Sequence, residues 1–304
     1  MRAVFVDASE ALAGVMERLR RQDDLAVAIN RDPNVAPQAL PALLGDAEIA
    51  IIDHTALPTD IAQGCSGLKH VVFLGTGARS YMDLEALSEA GIAVHTIKGY
   101  GDTAVAEHTI ALMWAAAKGL AAMDRAMRAG EWRRTEGLQL TAKTLGLIGF
   151  GGIGAEVARL GCGIGMRVLS WNRTPKTHAG VEFVSLDRLL AESHVVSLHL
   201  LLTDETRGFL SAERLGAMRP GAVLVNTARG GLVDEPAMIA ALAEGRLGHA
   251  ALDVFNTEPL PQGHPLTRLA NVTLSAHSAF RTPEASDNLI EAALGHCRRI
   301  ANGE

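Results

Sequence analysis

Cysteine, aromatic side chains and long apolar runs are all scarce in this sequence. Its three cysteines, Cys65, Cys162 and Cys297, are widely spaced and form no paired motif, so neither a disulfide framework nor a zinc site is expected. We expect three small buried thiols. The 11 histidines are scattered without an HExxH-type pair, so no metal site is predicted. The apolar stretches are interrupted within about a dozen residues, which is too short to span a bilayer.

A basic surface is also missing. The formal net charge is -6, and neither lysine nor arginine clusters into a long run. Phosphate backbones need such a cluster, so nucleic acid is not an expected partner. Residues 1–7 are typical of a strand and a turn rather than of a secretory signal, so we expect a cytoplasmic protein.

The chain contains two runs of alternating strands and helices. In the first run, strands are predicted at 4–6, 26–29, 49–52, 70–73 and 92–95, with an amphipathic helix at 10–21. Continuous apolar strands separated by helices indicate a parallel sheet covered on both faces. In the second run, six strands are predicted at 144–148, 167–171, 195–198, 222–225, 250–252 and 272–274. Six such strands match a doubly wound dinucleotide-binding sheet.

One long helix, residues 103–128, connects the two runs and ends at Ala129-Gly130. It carries more apolar residues than one core-facing stripe needs. Either it is an interdomain helix, or a second apolar face is buried in a homodimer, which we expect. A last helix, residues 283–300, is expected to pack on the first domain.

These patterns predict an α/β fold of two doubly wound parallel-sheet domains. A Rossmann cofactor domain, residues 99–279, is inserted in a flavodoxin-like substrate domain made of residues 1–98 and 280–304.

A glycine-rich loop follows the first strand of the second run. Its GxGxxG spacing allows a tight turn, close approach of a pyrophosphate and close helix packing. The predicted cofactor-binding residues of this loop are Gly149, Phe150, Gly151, Gly152, Ile153 and Gly154. The alternative, a merely structural turn, fits the surrounding strand and helix less well.

The next strand ends at Asn172, where a residue is expected to meet the adenosine ribose. NAD-preferring sites usually carry an acid there, but here Arg173, Thr174 and Lys176 follow. Without a repelling carboxylate, a guanidinium can bind a 2′-phosphate. We therefore predict NADP(H) in preference to NAD(H). The alternative is that Arg173 is only a solvated turn residue.

Three polar residues lie at strand ends on the expected cofactor side of the sheet: Arg229, Glu258 and His277. Reduction of a carbonyl needs a proton donor, which histidine supplies near neutral pH. A carboxylate would orient the imidazole and favour its protonated form, and arginine would clamp a substrate carboxylate. Taken singly, Arg229 also fits a surface turn, Glu258 a loop start, and His277 a polar residue beside the core.

Together these segments resemble the D-isomer-specific 2-hydroxyacid dehydrogenases, of the glyoxylate and hydroxypyruvate reductase type, over nearly the whole chain. The matching segments are 105–108, 149–154, 199–206, 226–235, 252–255, 258–260 and the segment of His277. The resemblance implies that Arg229 binds the substrate carboxylate and carbonyl, that Glu258 pairs with the histidine, and that His277 is the acid/base.

The resemblance further implies binding residues on both domains. It suggests Asp253 at the nicotinamide carboxamide, and Thr227 and Ala228 near the cofactor. Main-chain amides of the loop Gly75-Thr76-Gly77 are expected to hold the substrate carboxylate.

Some positions depart from the family pattern. Leu201 and Ala276 stand where prolines are common, and Arg79-Ser80-Tyr81 replaces an acidic continuation of the substrate loop. Arg79 either attracts a second anionic group of the substrate or faces water.

The expected reaction is reversible hydride transfer between NADP(H) and a small 2-oxo or 2-hydroxy acid, such as glyoxylate or hydroxypyruvate. Formate and phosphite dehydrogenases share the fold but match less well: the first group lacks the glutamate, and the second uses a lysine where Gly75-Thr76-Gly77 stands. A dinucleotide-sensing corepressor of the same fold is the alternative outside catalysis.

Overall fold

Residues 1–22 and 24–303 are described by a computed structural model of the chain. The chain divides into two compact units, one made of Met1–Gly101 with Arg281–Glu304 and the other of Asp102–Phe280. The second unit is therefore an insertion in the first. Each unit contains one parallel sheet with helices, so the predicted fold class is confirmed.

The strands of the first unit are β1 (Ala3–Phe5), β2 (Val27–Ile29), β3 (Ile49–Ile52), β4 (His70–Phe73) and β5 (Ala93–Thr96). Those of the second are β6 (Thr144–Ile148), β7 (Arg167–Trp171), β8 (Val181–Phe183), β9 (Val195–Leu198), β10 (Val223–Asn226), β11 (His249–Leu252) and β12 (Val272–Leu274). The helices are α1 (Glu10–Leu19), α2 (Leu40–Leu44), α3 (Thr59–Gln63), α4 (Leu84–Glu89), α5 (Asp102–Lys118), α6 (Leu120–Arg128), α7 (Gly152–Gly163), α8 (Leu186–Glu192), α9 (Ala212–Ala217), α10 (Glu235–Ala243) and α11 (Pro283–Ala301).

The first unit has the sheet order β2-β1-β3-β4-β5, with every neighbouring pair parallel. Strands β1 and β3 are buried throughout, as their continuous apolar sequences require. Helix α11 packs against α1, and both contribute buried apolar side chains to one core with β1. The prediction that the last helix packs on the first domain is confirmed.

The second unit has the sheet order β12-β11-β10-β9-β6-β7-β8, again all parallel. All six predicted strands are present. The edge strand β8 was not predicted, because it has three residues and none of them is fully buried. Chain order reverses between β6 and β9, and ligands of doubly wound sheets bind at the carboxyl ends of strands at such a point.

The prediction of one long helix at 103–128 is wrong. Two helices, α5 and α6, meet at Gly119, which adopts a left-handed conformation with φ 64°. A Cβ at this position would lie 2.8 Å from Thr135 Cγ2, so a side chain is excluded here for two reasons. The apolar pattern continues through the break, so it gave no signal of it.

The expectation of three buried thiols also needs correction. Cys65 and Cys297 are buried, but Cys162 is exposed near the end of α7. Within residues 1–22 and 24–303, no helix is long and apolar enough to span a membrane. The same described part of the chain contains no group of three or more acidic, histidine or cysteine side chains that could hold a metal ion.

Candidate active site

The glycine-rich loop lies between β6 and α7, at the point where the strand order reverses. Gly149 has φ 97°, and a Cβ there would lie 2.5 Å from the carbonyl oxygen of His199. A Cβ at Gly154 would lie 2.6 Å from the carbonyl oxygen of Gly149. Packing within the protein therefore requires glycine at both positions.

Gly151 differs from these two glycines. Its φ of -90° suits any residue, and a Cβ built there meets nothing within 4 Å. It caps the N-terminus of the 12-residue helix α7, where free N–H groups and the helix dipole favour an anion. A glycine that the protein's own packing does not require fits a ligand that approaches the backbone closely, as a dinucleotide pyrophosphate does.

Asn172, at the end of β7, holds the glycine loop in place. Its Oδ1 accepts a 3.0 Å hydrogen bond from the Phe150 N–H, and its Nδ2 donates to the Thr174 carbonyl at 2.8 Å. Lys176 Nζ donates to the Phe150 carbonyl at 2.6 Å. Phe150 is thus held through both of its backbone polar groups, a role that the sequence pattern did not indicate.

Arg173 follows on the surface. Its Nη1 lies 2.9 Å from Glu205 Oε2, and the two side chains are 82% and 78% exposed. Arg173 is therefore a surface residue with an acidic partner, and its role at a 2′-phosphate stays a prediction. A pair this exposed contributes little to stability, so the guanidinium can exchange its partner at small cost.

Glu258 and His277 form a close pair. Glu258 Oε2 lies 2.6 Å from His277 Nδ1, and Glu258 Oε1 accepts a 2.8 Å bond from the Phe255 N–H. The His277 N–H in turn donates to the Asp253 carbonyl at 2.8 Å. Because Nδ1 faces the glutamate, Nε2 is the ring nitrogen available to a substrate oxygen. Both side chains keep a third or more of their surface exposed, so a small ligand can reach them.

Arg229 lies in a turn directly after β10. The buried side chain of Asn226 shapes this turn: its Nδ2 donates to the Arg229 carbonyl at 3.0 Å, and its Oδ1 accepts from the Ala228 N–H at 3.0 Å. The neighbouring Gly230 packs directly on Phe255, since a Cβ would lie 2.1 Å from the Phe255 carbonyl carbon. The turn of Arg229 and the segment that leads to Glu258 are thus in contact.

Asp253 is fully buried at the end of β11. Its carboxylate accepts hydrogen bonds from Ser275 Oγ at 2.6 Å and from the N–H groups of Ser278 and Ala279 at 3.0 and 2.9 Å. Burial alone would raise the pKa of Asp253, but the hydrogen bonds from His108, Ser275 and these amides outweigh it and hold the pKa below its ordinary value. Protein donors therefore engage both oxygens, and the contact with a carboxamide stays a prediction.

Thr227, which with Ala228 is expected near the cofactor, is also buried. Its Oγ1 lies 2.8 Å from Thr109 Oγ1 on α5. Helix α5 therefore contacts the chain directly after strand β10. The two threonines are 118 residues apart, so no local sequence pattern indicates this contact.

The proposed substrate loop lies in the first unit, after β4. Gly75 is buried with φ 156°, and its carbonyl accepts a 3.0 Å bond from the Ile97 N–H. Thr76 is exposed and Gly77 is partly exposed. Arg79, two residues after Gly77, forms a two-pronged pair with Glu85 at 2.8 and 2.5 Å. The two side chains are 66% and 65% exposed, so Arg79 is a surface residue with an acidic partner, and its role at a second anionic group of the substrate stays a prediction.

Comparison with known proteins places these features in a family. The sequence profile of the NAD binding domain of D-isomer specific 2-hydroxyacid dehydrogenases matches residues 110–279. A glyoxylate reductase of Aeropyrum pernix is 41% identical over 235 residues, which cover 70% of this chain and 70% of that protein. A hydroxypyruvate reductase of Thermotoga maritima is 36% identical over 241 residues, covering 78% of this chain and 77% of that protein.

A solved structure agrees with these sequence matches. The crystal structure of the TT0316 protein from Thermus thermophilus has a TM-score of 0.89 and 36% identity, and it covers 100% of this chain and 98% of that one. The chain thus belongs to the D-isomer-specific 2-hydroxyacid dehydrogenases, oxidoreductases that use a nicotinamide dinucleotide to interconvert 2-oxo and 2-hydroxy acids.

Proposed function

We propose that this enzyme reduces a small 2-oxo acid of the glyoxylate or hydroxypyruvate type with NADPH. The single observation that carries the proposal is the Glu258–His277 pair, held 2.6 Å apart beside the turn of Arg229. The names of the Aeropyrum and Thermotoga relatives support the substrate class.

Each of the three side chains has one task in the reaction. Arg229 binds the substrate carboxylate and polarises the carbonyl, since a guanidinium donates two parallel hydrogen bonds. The bound nicotinamide supplies the hydride that C2 receives. His277 gives the proton from Nε2 to the carbonyl oxygen, so that one 2-oxo acid, one hydride and one proton yield one 2-hydroxy acid. Glu258 orients the ring and stabilises the imidazolium before proton transfer.

The cofactor is proposed to lie along the carboxyl edge of the second sheet. The glycine loop binds the pyrophosphate, Asp253 lies at the nicotinamide carboxamide, and Thr227 and Ala228 lie near the cofactor. Asn172 presents no carboxylate to the adenosine ribose. The Arg173 guanidinium separates from Glu205 and binds the 2′-phosphate. The exposure of the Arg173–Glu205 pair supports this exchange.

The substrate carboxylate is proposed to receive further hydrogen bonds from main-chain amides of the loop Gly75-Thr76-Gly77. The Gly75 N–H donates to the Phe73 carbonyl at 2.9 Å, so the amides of Thr76 and Gly77 are the main donors of this proposal. The exposure of Thr76 and Gly77 supports the assignment.

A panel of 2-oxo acids, each mixed with NADPH and with NADH, tests the proposal. Oxidation of NADPH by glyoxylate or hydroxypyruvate is the expected result. A higher kcat/KM with NADH would overturn the cofactor assignment. Dinucleotide binding without turnover of any acid would favour the alternative, a dinucleotide-sensing corepressor.

A homodimer is proposed because apolar side chains remain exposed on and after α6. Leu120 is 50% exposed, Met127 is 51% exposed and Trp132 is 77% exposed, whereas the apolar residues of α5 are largely buried in their own unit. Sedimentation velocity should show a dimer, and Met127→Glu with Trp132→Glu should give a monomer. The matched control is Leu201→Glu elsewhere on the surface, at a leucine whose exposure of 70% lies between those of Met127 and Trp132, and this variant should stay dimeric.

A cytoplasmic location without a nucleic acid partner completes the proposal. The net charge of -6 gives no attraction for phosphate backbones. Cell fractionation and a DNA-binding titration at low salt test these two statements.

A further inference from the structure

We propose that His108 and Ser275 are positioning residues for the acid/base His277, acting through the buried carboxylate of Asp253. This inference rests on the proposed function, because it assigns a role in proton transfer. Ser275 directly follows β12 and lies two residues before His277, whereas His108 lies on helix α5.

The carboxylate of Asp253 gathers donors from both sides of His277. On one side, Ser275 Oγ donates to Oδ1 at 2.6 Å. On the other side, the N–H groups of Ser278 and Ala279 donate to Oδ1 and Oδ2. The Asp253 carbonyl accepts the His277 N–H at 2.8 Å, so one residue fixes the whole segment that carries the acid/base.

His108 extends this arrangement to helix α5. Its Nε2 lies 3.0 Å from Ser275 Oγ and 3.5 Å from Asp253 Oδ1. Because the serine hydroxyl donates its proton to the carboxylate, its oxygen must accept from His108, so His108 carries a hydrogen on Nε2. The order of donation is thus His108 to Ser275 to Asp253, and α5 is tied to the segment of His277.

The segment needs such support because His277 has a left-handed backbone, with φ 47°. Residues other than glycine adopt this region rarely, and it persists where the surroundings hold it in place. If Ser275 no longer donates, the backbone can relax, and the His277 ring moves away from Glu258 and from the substrate. A misplacement of about 1 Å at a reacting group can cost roughly 100-fold in rate.

Kinetic measurements on Ser275→Ala and His108→Phe test the proposal. We expect kcat to fall roughly 10-fold in each variant while KM for the 2-oxo acid changes less than about twofold. His108→Gln and Ser275→Thr keep a donor at the same place and should restore most of the turnover. A purely structural role would lower the melting temperature without this separation of kcat from KM.

Two further measurements tie the effect to His277. In a His277→Ala background, Ser275→Ala should cause no additional loss of kcat, because residues that act through one group are not additive. Histidine ring NMR of the enzyme without cofactor should show the His277 resonances shifted in Ser275→Ala and unshifted in Ser275→Thr. Additive losses, or unshifted resonances in Ser275→Ala, would overturn the proposal.

A matched control is available on the same sheet. His249 Nε2 lies 2.9 Å from Thr273 Oγ1, a histidine–hydroxyl pair at the opposite end of β11 from Asp253. His249→Phe should leave kcat unchanged. If the wild type reduces no 2-oxo acid, the proposed function fails. If the wild type is active and the Ser275 and His108 variants retain full kcat, only the present inference fails.

Discussion

Glu258 Oε2 lies 2.6 Å from His277 Nδ1, while the other oxygen of Glu258 is held by the Phe255 N–H at 2.8 Å. The carboxylate is therefore fixed at one end and directs the ring at the other. Because Nδ1 faces Glu258, Nε2 is the ring nitrogen that can contact the substrate. A glutamine at position 258 would remove the negative charge and keep the shape of the side chain.

Glu258→Gln should lower kcat by roughly 100-fold with little change in KM. If the glutamine oxygen keeps the bond from Phe255, its amide nitrogen faces His277 Nδ1. Two donors then oppose each other when the ring is protonated, so the imidazolium is no longer stabilised. Steady-state kinetics from pH 5 to 9 measure the effect, and an unchanged kcat would contradict the assigned role. Glu258→Asp, which keeps the charge but shortens the side chain, is the control.

Arg229→Ala should lower kcat/KM for the 2-oxo acid by roughly 1,000-fold, through both KM and kcat, because the guanidinium binds the ground state and polarises the carbonyl. The kcat/KM of Arg229→Lys should lie between those of the wild type and Arg229→Ala, since lysine keeps the charge but cannot form two parallel hydrogen bonds. NADPH affinity, measured by fluorescence titration, should stay the same in both variants. Weakened NADPH binding instead would place Arg229 at the cofactor.

The preference for NADPH over NADH should weaken when Arg173 or Asn172 is changed and strengthen when Glu205 is changed. Arg173→Ala should lower kcat/KM with NADPH about 10-fold and leave NADH unaffected. Glu205→Gln should strengthen the NADPH preference, because the guanidinium loses its competing partner. Asn172→Asp keeps an acceptor for the Phe150 N–H but adds a charge, so it should shift the preference towards NADH. Equal responses to both cofactors would refute the 2′-phosphate assignment.

The sequence predicted the parts of the site that follow from strand ends, because each strand end places a polar residue on one edge of a parallel sheet. Apart from the pair of Glu258 and His277, which the family resemblance implied, it did not predict what those residues contact. His108 and Ser275, which contact each other, are 167 residues apart in the chain. The hydrogen bond from the Phe150 N–H to Asn172 depends on the packing of two strands. The break at Gly119 was missed because apolar residues continue on both sides of it. Strand β8 was missed because three residues are too few to establish an alternating pattern.

The pH dependence of stability should reflect His249. Its burial, with the nearby charge of Arg125, lowers its pKa to about 4. As the pH falls below about 6.5, the unfolded chain binds a proton at this histidine and the folded chain does not. The free energy of unfolding is therefore unaffected by this titration above pH 6.5 and decreases as the pH falls from 6.5 towards 4. Urea unfolding between pH 7 and 4 should show this decrease. Burial also lowers the pKa of His199 to about 4, so His249→Gln should make the decrease less steep without removing it. An unchanged slope in that variant would show that His249 does not contribute.

Gly151 and Gly154 should separate cofactor binding from folding. Gly151 has an ordinary φ and open space where a Cβ would lie, so Gly151→Ala should change the free energy of unfolding by less than about 1 kcal/mol. A bound pyrophosphate would meet the new methyl group, so NADPH should bind at least about 10-fold more weakly.

Gly154→Ala is the matched comparison. Its Cβ would lie 2.6 Å from the Gly149 carbonyl oxygen, so the backbone must shift and the melting temperature should fall even without cofactor. Thermal unfolding and NADPH fluorescence titration on both variants check the pair. If Gly151→Ala binds NADPH as tightly as the wild type does, the ligand does not approach the protein at this glycine, and the pyrophosphate must bind elsewhere on the loop.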